Sequence, residues 1–228
     1  MSDHESDFEA IKKAVQEAKV ARRELFLSSK VWWNNVSRAQ LRHSFESTLS
    51  ALGVDHLDLY MIHWPNRTVP IEETLREMQA LVAEGKVKAV GVCNFTKRHL
   101  EEARATGVEI AVHQFELHPT FVQHDMIEYC RAQGIQIMAL SPFGEGKDLA
   151  VPVIHDIAQA HLYSEAQTLL IWARAKKWII TQGASMTPGV DEYMASLSLT
   201  LTDDEIARID ALSQRGRLIN PPFADFDY

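Results

Sequence analysis

The stretch Leu57-Asp-Leu-Tyr-Met-Ile-His-Trp-Pro65 decides how this chain is read. It is a short apolar run with β-favouring residues, closed by Pro65. Gly53 precedes it, after a helically periodic segment. Such a run reads as a buried strand of an α/β protein, entered from a helix. The last residue before the Trp-Pro break is His63, an ionisable ring at a strand's C-terminal end. In a barrel of parallel strands, chemistry sits at that end. A lone histidine there has a second reading, as a hydrogen-bonded core residue. The two readings part on whether other polar residues join it.

The same unit recurs on both sides of this stretch. Upstream, Phe8, Ile11, Ala14, Val15 and Ala18 form a helical stripe that Ser6 or Asp7 would cap. Leu25–Ser29 reads as a strand closed by Lys30, and Ser37 caps a helix with the stripe Leu41, Phe45, Leu49 and Leu52. Downstream, strands are expected at Val87–Cys93, Ile110–Glu116, Ile135–Leu140 and Trp178–Thr181. Helices are expected at Ile71–Glu84, Lys97–Ala105, Met126–Gln133, Pro152–His161, Glu165–Lys176, Val190–Leu197 and Thr202–Leu212. The last of these carries capping-box spacing between Thr202 and Glu205. The tail from Arg217 to Tyr228 is Pro- and aromatic-rich and reads as irregular.

The alternation of short apolar strands with helices is the pattern of a covered parallel sheet. Lys30, His63, Asn94, Gln114 and Ser141 all fall at or just after a strand's C-terminal end. Together they point to a pocket built from βα loops, as in a TIM-type barrel. A doubly wound open sheet is the competing architecture, but no G-x-G-x-x-G follows the first strand.

Composition narrows the function. The formal charge is -8, which argues against a nucleic-acid or acidic-membrane partner. The two cysteines, Cys93 and Cys130, lack metal-ligand spacing and fit free thiols in a reducing compartment. No apolar run is long enough to span a bilayer, and the first residues are too acidic for a signal peptide, so a cytoplasmic protein is expected. No low-complexity linker divides the chain, which reads as a single domain over residues 1–228.

Five pieces then resemble the aldo-keto reductases: Leu25-Phe-Leu-Ser-Ser-Lys30-Val-Trp, Asp58-Leu-Tyr-Met-Ile-His63-Trp-Pro, Gly91-Val-Cys-Asn94-Phe, His113-Gln114-Phe-Glu-Leu-His-Pro and Leu140-Ser141-Pro-Phe-Gly. Their order and spacing match from about Glu24 to the tail. The resemblance implies a (β/α)8 barrel that binds NADPH and reduces small aldehydes and ketones. It implies catalytic roles for Lys30 and His63, His63 orienting the substrate carbonyl. In the family a tyrosine gives the proton, its acidity raised by the lysine, which an aspartate holds. Cofactor contacts are implied for Cys93, Asn94, Gln114, Ser141, Phe143, Gly144, Ser185 and Glu192. Trp32, Trp64 and Phe95, with Trp33 and Phe223, would line an apolar substrate pocket.

The match also has gaps. No tyrosine precedes Tyr60, so the family's Asp and Tyr find no counterpart before Lys30. Six strands are read where a closed barrel has about eight, so the barrel is expected to be incomplete, its first two strands missing. Where the family grips the 2′-phosphate of NADP, this chain has Ala184, Gly189 or Val190, and Tyr193. Losing two cations there removes charge-assisted bonds of about 1.5–3 kcal/mol each. The cofactor is therefore left open between NADPH and NADH. Leu140 replaces the aromatic that stacks on nicotinamide, and Cys93 stands at a usual serine.

Two functions remain open on this reading. One is a nicotinamide-dependent carbonyl reductase of weak activity, with Tyr228 or a water as the proton donor. The other is a catalytically silent relative, or truncated form, that binds a ligand or partner. A second copy of the chain covering an open barrel edge is a further expectation.

Overall fold

The computed structural model describes residues 5–181 and 189–228. These fall into two compact units, one running through His113 and including Phe223–Tyr228, the other comprising Gln114–Pro222.

The first unit contains α1 (Glu5–Glu17), β1 (Ser28–Val31), α2 (Arg38–Leu52), β2 (Leu57–Ile62), α3 (Ile71–Ala83), β3 (Val87–Cys93) and α4 (Lys97–Ala105). Ser6 and Asp7, the expected caps, lie inside α1. Strands β1, β2 and β3 are neighbours in that order and pair in parallel. The first strand starts later than its apolar residues suggest. Leu27 spends its backbone N–H on the Asp58 carboxylate, at 2.8 Å, and Lys30 falls inside β1 rather than after it. All six residues of β2 are buried, as a covered strand requires.

Asp58 fastens this sheet. Its carboxylate faces Arg22 at 2.8 Å and Lys88 of β3 at 2.6 Å, besides the Leu27 amide. Burial would raise its pKa. The bonds from Lys88, Leu27 and Arg22 outweigh burial and hold it at about 2. A second constraint is Gly91 in β3. A Cβ there would lie 2.8 Å from Met61 Cγ and 2.9 Å from the Val112 carbonyl oxygen. Behind the sheet, Glu77 of α3 is buried and ion-paired to Arg38 at 2.9 Å and to Arg42 at 2.5 Å, which ties α3 to α2.

Val112 and His113 open β4 (Val112–Glu116), whose remaining residues belong to the second unit. That unit continues with α5 (His124–Ala132), β5 (Gln136–Leu140), α6 (Pro152–His161), α7 (Glu165–Ala175), β6 (Ile179–Ile180), α8 (Val190–Ser196) and α9 (Asp203–Asp210). Strand order is again chain order, with β5 and β6 parallel. Helix α7 is apolar nearly all round because it is buried, and Trp172 Nε1 donates to Asp210 of α9 at 2.8 Å. Thr202 and Glu205 form the expected capping box. Among the described residues no helix is long and apolar enough to cross a membrane.

Two outcomes follow for stability. Asp58→Asn lowers unfolding free energy at pH 7 by about 2 kcal/mol. The folded-state pKa of Asp58 is depressed, so its contribution is present above the unfolded value and disappears as pH falls toward about 2. Urea midpoints between pH 7 and pH 2 check both, since the variant lacks that acid-dependent component. Gly91→Ala, measured the same way, costs about 1–3 kcal/mol, because the new methyl meets Met61 and backbone.

Candidate active site

Strand geometry places the first two candidates together. Lys30 is in register with Met61, and Met61 with Gly91. Side chains two residues apart share a face, so Lys30, Met61, His63, Gly91 and Cys93 point to one side of the sheet. The Cys93 thiol, 3.9 Å from Met61 Sδ, confirms it. Tyr60 points the other way, its ring 5.0 Å from Phe45 of α2. Lys30 and His63 thus face away from the α2 layer.

Lys30 is 8% exposed. Among the described residues no carboxylate lies within 4.0 Å of its ammonium. Its charge acts on both His63 and Cys93. The His63 backbone N–H donates to the Val31 carbonyl at 2.9 Å, which anchors the residue just beyond β2. Its Nδ1 is buried and has no hydrogen-bond partner among the described residues. Burial first, and then the Lys30 charge, push its pKa down to about 3. His63 is therefore a neutral imidazole at physiological pH, next to a cation.

Asn94 follows β3 with a left-handed backbone, φ 58°. Its amide nitrogen donates to the His63 carbonyl at 3.1 Å, and its Oδ1 is buried with no partner among the described residues. A buried amide oxygen in that state is an open acceptor beside His63.

The aromatic candidates divide. The ring of Trp32 stands edge-on to His63 at 4.8 Å, and Trp64 lies 6.5 Å away. Phe223 from the tail contacts Trp32 at 5.7 Å, Trp33 at 5.1 Å and Trp64 at 5.5 Å, and Phe226 adds a contact to Trp64. Phe95 packs instead on His99 of α4 and donates its backbone N–H to His113 Nε2 at 3.2 Å. It lines a cavity of about 170 Å³ with Val36, Ile62, Arg67, Glu102 and Tyr228. Tyr228, the candidate proton donor from the tail, gives its hydroxyl to Glu102 and lies under the guanidinium groups of Arg67 and Arg98 at 4.1 and 3.9 Å. This clasp around Tyr228 was missed in the sequence, since its partners are spread over a loop, a helix and the tail.

In the second unit, Gln114 is buried and donates to Thr181 Oγ1 at 2.8 Å. Ser141 sits at φ 51° and bonds Glu145, opening a turn that Phe143 and Gly144 complete. Gly144 is required there, because a Cβ would lie 2.9 Å from the Asp148 carboxyl carbon. Glu192 of α8 accepts from Ser164, the N-cap of α7. Ser185 and Ala184 lie outside the described residues.

The family profile described as Aldo/keto reductase family matches residues 5–214. The chain is 38% identical over 221 residues to the uncharacterized oxidoreductase YtbE of Bacillus subtilis (strain 168), covering 96% of this chain and 78% of the relative. It is 35% identical over 205 residues to the glyoxal reductase of the same organism, covering 90% and 74%. A crystal structure of an aldo-keto reductase complexed with NADPH superposes with TM-score 0.86 at 25% identity, covering 94% of this chain and 73% of that one.

The neutrality of His63 has a direct readout. Its ring carbon and nitrogen NMR signals stay constant between pH 8 and pH 5 and begin to move only toward pH 3. Lys30→Met removes the neighbouring charge and moves that titration upward.

Proposed function

Since this chain belongs to the aldo-keto reductase family, whose members are NAD(P)H-dependent oxidoreductases on a TIM-type α/β fold, we propose that it reduces small aldehydes and ketones, 2-oxoaldehydes such as glyoxal among them, at the Lys30–His63 face. The observation that carries this reading is a buried lysine sharing one sheet face with a neutral histidine, beside an aromatic wall.

The parts match the chemistry. A reduced nicotinamide, when bound, supplies the hydride. Asn94 fits a carboxamide, because its orphaned Oδ1 can accept from the amide group. Cys93, Gln114, Ser141, Phe143, Gly144, Ser185 and Glu192 are the further cofactor contacts of the proposal. Carbonyl reduction builds negative charge on oxygen, and preorganised positive charge in a dry site lowers that barrier. Lys30 supplies such a charge. His63 is uncharged and offers a hydrogen bond that orients the carbonyl without a counter-ion of its own. Trp32 and Trp64 give apolar area for the carbon chain, and Phe95, which packs on His99 of α4, is a further lining residue of the proposal.

The protonation step is the weak link. Tyr228 is committed to Glu102, whose carboxylate raises the phenol pKa, and Tyr60 faces α2. Water is then the proton donor of the proposal, and turnover is slow. The second reading, a catalytically silent relative that binds a ligand or partner, draws on the same two observations.

Steady-state oxidation of NADPH and of NADH with glyoxal, methylglyoxal and a simple aldehyde decides between them. The first reading expects turnover below about 1 per second, a loss of about a hundredfold or more in Lys30→Met, and nucleotide binding retained in that variant. Nucleotide fluorescence quenching with no detectable oxidation supports the second. Absence of nucleotide binding overturns the first and favours the second.

A further inference from the structure

The second unit holds a charged cluster that the proposed reaction does not use. Glu116, His118 and Asp148 are all fully buried. His118 Nδ1 donates to Asp148 Oδ2 at 2.8 Å, and Nε2 donates to Glu116 Oε1 at 3.1 Å. Both ring nitrogens face carboxylates, so both must carry protons, and the ring is an imidazolium. Thr120 serves Asp148 from the other side, its hydroxyl donating at 2.7 Å and its backbone N–H at 3.3 Å.

Glu116 is bonded to a distant part of the chain. Its Oε1 accepts the Leu218 amide at 2.8 Å and its Oε2 the Ile219 amide at 2.9 Å. Arg217 Nη1 lies 3.9 Å from Oε2, and its guanidinium rests 5.1 Å over the Phe121 ring. Arg215 N–H donates to the Thr120 carbonyl at 2.7 Å. The loop after β4 and the segment after α9 are thus joined through one carboxylate and its neighbours.

We propose that Glu116, His118 and Asp148 form a proton-operated fastener for the Arg215–Ile219 segment, closed only while His118 is doubly protonated and both carboxylates are ionised. Each edge of that window has a physical cause. On the acid side, three lone pairs of Glu116 already accept N–H donors and Oε2 faces the Arg217 cation at 3.9 Å, so an added proton displaces a donor or meets that cation, and it removes the charge that holds the Leu218 and Ile219 amides. On the alkaline side, losing a ring proton turns a nitrogen lone pair toward a buried carboxylate, and the two anions lose the cation between them. The groups facing His118 are Glu116 and Asp148, and Arg217 faces Glu116 from the released segment.

The directions of titration agree with this geometry. Burial alone would raise both carboxylates and lower the histidine. Their mutual bonds outweigh it, so Glu116 and Asp148 stay below the usual carboxylate range and His118 rises above its ordinary value. A depressed carboxylate holds the segment above its unfolded pKa and releases it as pH falls through the folded value. A raised histidine holds it below its unfolded pKa and releases it as pH rises through the folded value. The released segment continues through Pro221 and Pro222 to Phe223.

NMR of the uniformly 15N-labelled full chain tests this without reference to catalysis. At pH 7 the His118 ring is expected to show two protonated nitrogens. Above the His118 transition, protection factors of the Leu218 and Ile219 amides fall about tenfold or more, while those of β5 hold. Asp148→Asn does not touch either amide, yet it removes one anion from the imidazolium. It is expected to move the alkaline release down by about one pH unit or more. Glu116→Gln lowers protection of both amides at pH 7. A singly protonated ring at pH 7, or amide protection that tracks global unfolding at every pH, overturns the proposal. So does an alkaline release unmoved by Asp148→Asn.

Discussion

Asp58, the second residue of β2, has a carboxylate shared by the approach to β1 and by Lys88 of β3. Register in a parallel sheet is fixed only as firmly as something specifies it, and a one-residue slip sends every side chain to the opposite face. Here the slip would turn Lys30 toward α2 and leave it apart from His63. The buried anion prevents this at the N-terminal end of the strands. Gly91 prevents it midway, since only a residue without a Cβ passes Met61 and the Val112 carbonyl. The candidate chemistry at the far end of the strands therefore depends on an ion cluster that takes no part in it.

From that register the electrostatics of the site follow. A lysine buried beside a histidine makes the histidine's charged form costly, on top of the cost of burial. The result is one fixed cation and one neutral donor on a single face, with tryptophan edges around them. Phe223 and Phe226 complete the aromatic wall from the tail, so side chains far apart in sequence share one environment around Trp64.

Much of this was legible in the chain. Six short apolar runs gave six strands, and the run Leu57–Pro65 gave a fully buried one. Helix Lys97–Ala105 and helix Pro152–His161 matched to the residue, because Thr96 and Pro152 are strong start signals. The first strand was misplaced by a few residues, since apolarity marks burial but not which backbone N–H a distant carboxylate will take. The Ser164 capping box with Gln167 has a readable spacing. The one at Thr96 does not, because His99 fills the role usually held by Glu or Gln. The pairing of Lys30 with His63 was visible as a coincidence of strand ends. The commitments of Tyr228 to Glu102 and of Glu192 to Ser164 were not, because they depend on where helices pack rather than on any local pattern.

Two histidines show how little residue type alone decides. His63 and His118 both follow a strand, His118 fully buried and His63 partly so. Desolvation pushes each toward the neutral form. What differs is the sign of the nearest charge. His63 meets the Lys30 ammonium and is held neutral, whereas His118 meets two carboxylates and is held cationic. A neutral ring can orient a carbonyl, and an imidazolium can tie two anions and the amides beyond them. The two rings owe these different capacities to the neighbours that their strands and turns bring within reach.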